Sequence, residues 1–167
     1  MTIINCDMGE GFGLYRIGDD EGLMPLIDVA NVACGFHAGD AAGILSTLKA
    51  AKARNVVVGA HVAYRDLAGF GRRVMAVTPE QVYDMVVVQV GALAAVARTQ
   101  GAALHHVKAH GALYNMAARD AALAKAIAQA VADIDRSLIL YALAGSVQVQ
   151  AGRDAGLTVA QEVFADR

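Results

Sequence analysis

Short β-branched runs alternate with longer, alanine-rich stretches of helical period, and this rhythm restricts the fold more than any other feature of the chain. Strands are expected at residues 2–6, 29–34, 56–60, 104–108, 138–143 and 158–164. Helices are expected at 41–55, 78–100, 120–135 and 146–156. The second of these has the clearest start: Thr78 can cap, Pro79 suits the first helical position and Gln81 can close a capping box. Gly101 marks its end. Strands joined through helices pair in parallel by right-handed crossovers. No linker composition, short repeat or low-complexity segment interrupts the pattern, so residues 1–167 read as a single α/β domain.

That rhythm gives meaning to where the reactive residues fall. Asp7 and Glu10 follow the first expected strand, His37 and Asp40 the second, and His61, Tyr64 and Asp66 the third. Lys108 ends the fourth, His110, Tyr114 and Asn115 follow it, and Glu162, Asp166 and Arg167 come with the sixth. In a parallel sheet the C-terminal ends of the strands share one edge, or one rim if the sheet closes. Five loops would therefore deliver acids, imidazoles, a lysine and an arginine to one place, and that clustering points to an enzyme. Arg72 and Arg73, after a Gly-Phe-Gly turn, either pair with surface acids or clamp a carboxylate or phosphate. One of the adjacent His105 and His106 reads as structural, and Cys34 as a small hydrophobe rather than a nucleophile.

Composition excludes several other classes. With glycine counted and tyrosine left out, roughly 63% of the chain is apolar, above the ~45–50% of ordinary domains. Such a chain buries most of itself, in its own core or against partners, and its apolar helix at 78–100 also suits a homo-oligomer. A net charge of −2 with no basic run argues against nucleic acid or an anionic membrane as the main partner. The start lacks the basic and apolar regions of a signal peptide, and the apolar run at 85–97 is too short and too interrupted by Gln89 and Gly91 to span a bilayer. Two cysteines imply no disulfide framework. The expectation is a soluble, cytoplasmic protein.

Four segments, "NCDMGEGFG", "ANVACGFHAGD", "GAHVAYRDLAGFGRR" and "HHVKAHGALYN", occur in an order and at intervals that resemble the LamB/YcsF family of bacterial 5-oxoprolinase A subunits. The likeness runs from Ile4 to Arg167. It implies a (β/α) barrel of about seven strands like the glycoside hydrolase/deacetylase barrels, incomplete at the C-terminus of this chain. It also implies ATP-dependent opening of 5-oxoproline to L-glutamate, together with two further subunits, B and C. Two positions depart from the family pattern: Val62-Ala63 stands where Pro-Gly is usual after the histidine, and Ala109 where the family has proline. Both loops are expected to be reshaped.

A five-membered lactam is an unactivated amide, and phosphorylating its oxygen with ATP would make a better electrophile. Such a site needs a base, donors for developing negative charge and a cation for the substrate carboxylate. Asp7 or His61 can serve as base, Lys108 and His110 as oxyanion or phosphoryl stabilisers, and Arg72 or Arg73 as carboxylate clamp. Glu10, His37, Asp40, Tyr64, Tyr114, Asn115, Asp166 and Arg167 complete the expected substrate-binding set. No P-loop is present, so nucleotide binding would use another kind of site, partner subunits, or both. A second reading keeps the place and changes the chemistry: Asp7, Glu10, His37, His61 and His110 suit a divalent metal for hydrolysis or deacetylation without ATP. A third is a non-catalytic subunit that binds a small metabolite.

Overall fold

The computed structural model describes residues 2–165, so Asp166 and Arg167 lie outside the described residues. Six strands form one parallel sheet: β1 (Asn5–Met8), β2 (Val29–Ala33), β3 (Val57–Val62), β4 (His106–Ala109), β5 (Ile139–Leu143) and β6 (Val159–Glu162). Each strand pairs with the next in the chain, in the order of a singly wound barrel. The sheet curls far enough that Asn5 on β1 donates from Nδ2 to Glu162 Oε2 on β6 at 3.2 Å. The outcome is a curled half-barrel. Its six described strands compare with the expected number of about seven.

Side chains alternate across this sheet, and the two faces differ in kind. Met8, Ala30, Val32, Val58, Ala60, Val62, Val107 and Leu140 are buried in one core with the helices. The concave face instead carries Asn5, Asp7, Asn31, His61, His106, Lys108 and Glu162, which bond to one another. Gly59 sits beside His106 in the β3–β4 register. A Cβ at Gly59 would come within 2.3 Å of the His106 ring, so the bare glycine is what admits the imidazole.

The crossovers are α2 (Ala41–Ala53), α3 (Pro79–Thr99), α5 (Ala121–Ile134) and α6 (Val147–Asp154). The capping box of α3 is formed: Thr78 Oγ1 accepts from the Gln81 N–H at 3.2 Å and Gln81 Oε1 accepts from the Thr78 N–H at 2.9 Å. Such a cap is worth about 1 kcal/mol. By length and composition alone α3 could cross a membrane. In the fold its stripe of Val82, Val86, Val90, Leu93 and Ala97 is buried, and the helix packs on α5 and β3.

Three elements lie where the periodic signal is silent: α1 (Asp20–Leu23), a 3-10 turn (Met24–Leu26) and α4 (Gly111–Ala117). Each is shorter than the helical window needed to show a face. β1 begins later than the apolar run suggests, with Ile3 and Ile4 more than half exposed. β3 likewise runs on past Ala60 to Val62. As a result Asp7 and His61 stand on the strands themselves rather than in the loops after them, and Lys108 lies on its strand as expected.

Candidate functional site

The C-terminal ends of β1, β3 and β4 and the loops that follow them enclose a cavity of about 180 Å³. Asp7, His61, Arg72, Lys108, His110, Tyr114 and Asn115 line it, with Phe164 at one side. That volume is small beside the ~300–1,000 Å³ of pockets for drug-sized ligands, and it suits a molecule the size of an amino acid. Its charged lining groups are Asp7, Lys108 and Arg72, with Asp7 Oδ1 3.5 Å from Lys108 Nζ.

Asp7 has three polar side-chain partners. Its Oδ2 lies 3.2 Å from His61 Nε2, and its Oδ1 accepts from Asn31 Nδ2 at 2.9 Å and lies 3.5 Å from Lys108 Nζ. Burial by itself would raise the carboxyl, but the charges of His61 and Lys108 and the hydrogen bonds from His61 and Asn31 outweigh it. The group is held well below the usual carboxylate range, so it is ionised at neutral pH. Lys108 Nζ also donates to Asn5 Oδ1 at 3.0 Å and pairs with Glu162 Oε2 at 3.1 Å.

At the cavity wall, where His61 and His110 stand, three histidines and one carboxylate converge. His37 comes from the loop after β2, His61 from β3, His110 from the end of β4 and Glu10 from the loop after β1. One ligand atom of each lies within 4.8 Å of all the others, a cluster compatible with a divalent metal. His37 and His110 stack at 3.9 Å between centroids, and His61 meets both edge-on. Burial, then the neighbouring His61, pushes His37 down to about 3. The same causes, with His37 added, push His110 down to about 4. Burial raises the Glu10 carboxyl, opposed by His61 and reinforced by Asp7.

The loop 63–77 holds this cluster from outside. Phe70 adopts φ +54, rare for an aromatic residue. In that conformation its carbonyl accepts from His110 Nε2 at 2.9 Å, while its ring stands edge-on to both His37 and His110. Gly71 follows with φ +63, and a Cβ there would approach His37 Cβ to 2.9 Å. Gln89, buried in the middle of α3, clamps the chain just after His61: it donates to the Ala63 carbonyl and accepts from the Ala63 N–H, both at 2.9 Å. The Val62-Ala63 departure from the family pattern therefore keeps a defined backbone.

Other expected residues are placed elsewhere. Asp40 caps α2, accepting from Gly43 N–H at 2.8 Å, and its second oxygen accepts from Gly13 N–H at 2.8 Å. Tyr64 is buried and donates to Met116 Sδ at 3.3 Å. Arg73 forms a bidentate pair with Asp66, which leaves Arg72 as the arginine on the cavity. Sequence reasoning misses Asn5, Asn31 and Phe70. For Asn31 a signal exists, a polar residue inside a buried apolar run.

The chain matches the model of the LamB/YcsF family over residues 3–167. It is 63% identical over 164 residues to the 5-oxoprolinase A subunit of Tolumonas auensis and 61% identical to the protein of that name from Bordetella pertussis. Each match covers 98% of this chain and 65% of the relative, so the chain spans about two thirds of their length. In structure it is similar to the lactam utilization protein of Thermus thermophilus, with TM-score 0.97 and 48% identity over 99% of this chain and 67% of that one.

Proposed function

The chain belongs to the LamB/YcsF family, and from that membership we propose that it is the A subunit of an ATP-dependent 5-oxoprolinase, acting with partner subunits B and C to open 5-oxoproline to glutamate. The observation that carries the reading is the small cavity lined by an ionised Asp7 and by two cations, Lys108 and Arg72. Arg72 is placed to clamp the substrate carboxylate, since Arg73 is already paired with Asp66. Lys108 would stabilise negative charge on the former carbonyl oxygen or a phosphoryl group carried there. Asp7 would take the proton of the attacking water, with the Asn31 amide fixing its orientation.

A carboxylate held so firmly ionised is a weak base. That suits a carbonyl already activated by phosphorylation, which asks less of the base than a bare lactam would. The cavity is small and residues 1–167 carry no P-loop pattern, so we place ATP at a site completed by the partner subunits. Tyr114 and Asn115 would line the substrate, and the architecture we propose for the whole protein is one cytoplasmic (β/α) barrel of about seven strands of the glycoside hydrolase/deacetylase kind. The test is glutamate release from 5-oxoproline by the full-length protein, alone and with its two partners, with and without ATP. ATP-dependent glutamate only in the mixture supports the reading, and no glutamate in any mixture overturns it.

A further inference from the structure

We propose that Glu10, His61 and His110, with His37 as the weakest fourth member, form a divalent-cation site of the zinc class at the wall of the Asp7 cavity. The inference goes beyond the oxoprolinase reading and does not depend on it. It starts from which ring nitrogens carry hydrogen. A backbone carbonyl can only accept, so a nitrogen bonded to one must be N–H. His61 Nδ1 lies 3.2 Å from the Lys108 carbonyl and His110 Nε2 lies 2.9 Å from the Phe70 carbonyl. Both second nitrogens are thereby left as lone pairs, unless a proton is added.

Those two lone-pair atoms, His61 Nε2 and His110 Nδ1, face each other at 3.0 Å. Around them stand more acceptors: Asp7 Oδ2 at 3.2 Å from His61 Nε2, and Glu10 Oε1 at 3.6 Å from His110 Nδ1 and 4.0 Å from His61 Nε2. Acceptors so arranged repel unless something positive lies among them. The spacing fits an ion: ligands ~2.0–2.1 Å from a tetrahedral zinc stand about 3.3 Å apart, close to the 3.0–4.0 Å seen here. The carbonyl partners supply what ligating histidines usually have, an acceptor that fixes the tautomer and the ring. Three imidazoles and a carboxylate select zinc or a similar ion over magnesium or calcium.

His37 is the weakest member because its geometry allows another role. Its Nε2 lies 3.0 Å from Glu10 Oε1, so it can donate to that carboxylate instead of binding an ion. Its Nδ1 is buried with no hydrogen-bond partner among the described residues, so it lacks the outer acceptor that His61 and His110 have. Asp7 is not one of the four, but its Oδ2 lies 3.2 Å from the His61 ligand atom, so an ion held there would border the proposed base.

The competing occupant is a single proton, making His61 an imidazolium shared among the same acceptors. The experiment separates the two. Full-length protein is stripped with chelator, titrated with Zn²⁺, and reloaded with Co²⁺ to read the visible spectrum of a tetrahedral nitrogen–oxygen site. One equivalent with that spectrum is expected, with affinity falling about a hundredfold or more in His61→Ala and His110→Ala and least in His37→Ala. Circular dichroism verifies that the variants are folded, and Glu10→Gln serves if a histidine variant is not. Binding that is absent, or unchanged in His110→Ala and Glu10→Gln, overturns the proposal. So does a ¹⁵N imidazole spectrum showing a charged His61 after saturating Zn²⁺.

Discussion

His106 and His110 are four residues apart on one strand and its exit, yet they occupy opposite kinds of surroundings. His106 sits low in the half-barrel in a finished chain of donors and acceptors. Its Nε2 donates to Asn31 Oδ1 at 2.8 Å, Asn31 donates on to Asn5 Oδ1 and Asp7 Oδ1, and its ring lies against Tyr141. His110 sits at the rim, where its free nitrogen faces another acceptor and a carboxylate. Both are buried, and burial is the first cause of both low pKa values. Exposure therefore does not distinguish these two histidines; the kind of partner their ring nitrogens meet does.

Asp7 touches both regions, and replacing it gives the largest expected effect. Asp7→Asn should lower kcat for glutamate formation by about 10²–10⁴-fold, the range for losing a positioned base, while the protein loses some stability with its His61 and Lys108 pairs but stays folded at the assay temperature. A collapse in stability with kcat intact would assign Asp7 to the structural chain instead. Next comes the pair of histidines. His106→Ala should cost about 3 kcal/mol in urea unfolding, from lost packing and an orphaned Asn31 oxygen, with zinc affinity unchanged. His110→Ala should show the reverse, and the opposite pattern would break the comparison.

A smaller effect sharpens the view of the cavity. Arg72→Ala should raise KM for 5-oxoproline about ten- to hundredfold, as expected for losing a charged hydrogen bond, and Arg73→Ala should leave it nearly unchanged. Taken per pH unit, the smallest effect is on the pH dependence of stability. Burial, then His105, His61 and Lys108, holds His106 down at about 3, so the unfolded chain takes up the proton first. Its contribution is complete above about pH 6.5 and is lost as pH falls toward 3, by up to ~1.4 kcal/mol per unit. His106→Gln should flatten unfolding free energy against pH in that window; an unaltered slope would show that His106 does not set it.

Much of this architecture is legible from sequence because it rests on period. The strands at 29–34 and 138–143 and the helix at 78–100 come within a residue or two of the observed elements, since each shows a full apolar face or a complete cap. β1 is less legible because its inward residues, Asn5 and Asp7, are polar while the exposed Ile3 and Ile4 look like strand. The cavity is legible as a rim of loops, which groups Asp7, His61, Lys108 and His110. The partition within it is not: that Arg73 is taken by Asp66, that Asp40 serves as a cap and that Phe70 holds His110 depend on loop conformations without a periodic signal.

The fit of His106 against Gly59 has a consequence for how such a chain can diverge. Neither position can change freely while the other stays: any side chain at 59 strikes the ring, and a smaller residue at 106 leaves a gap and an unsatisfied Asn31. Divergence through this spot would proceed by paired replacement, with the first step of each pair the less fit one. The two positions behave as one heritable unit shared between neighbouring strands.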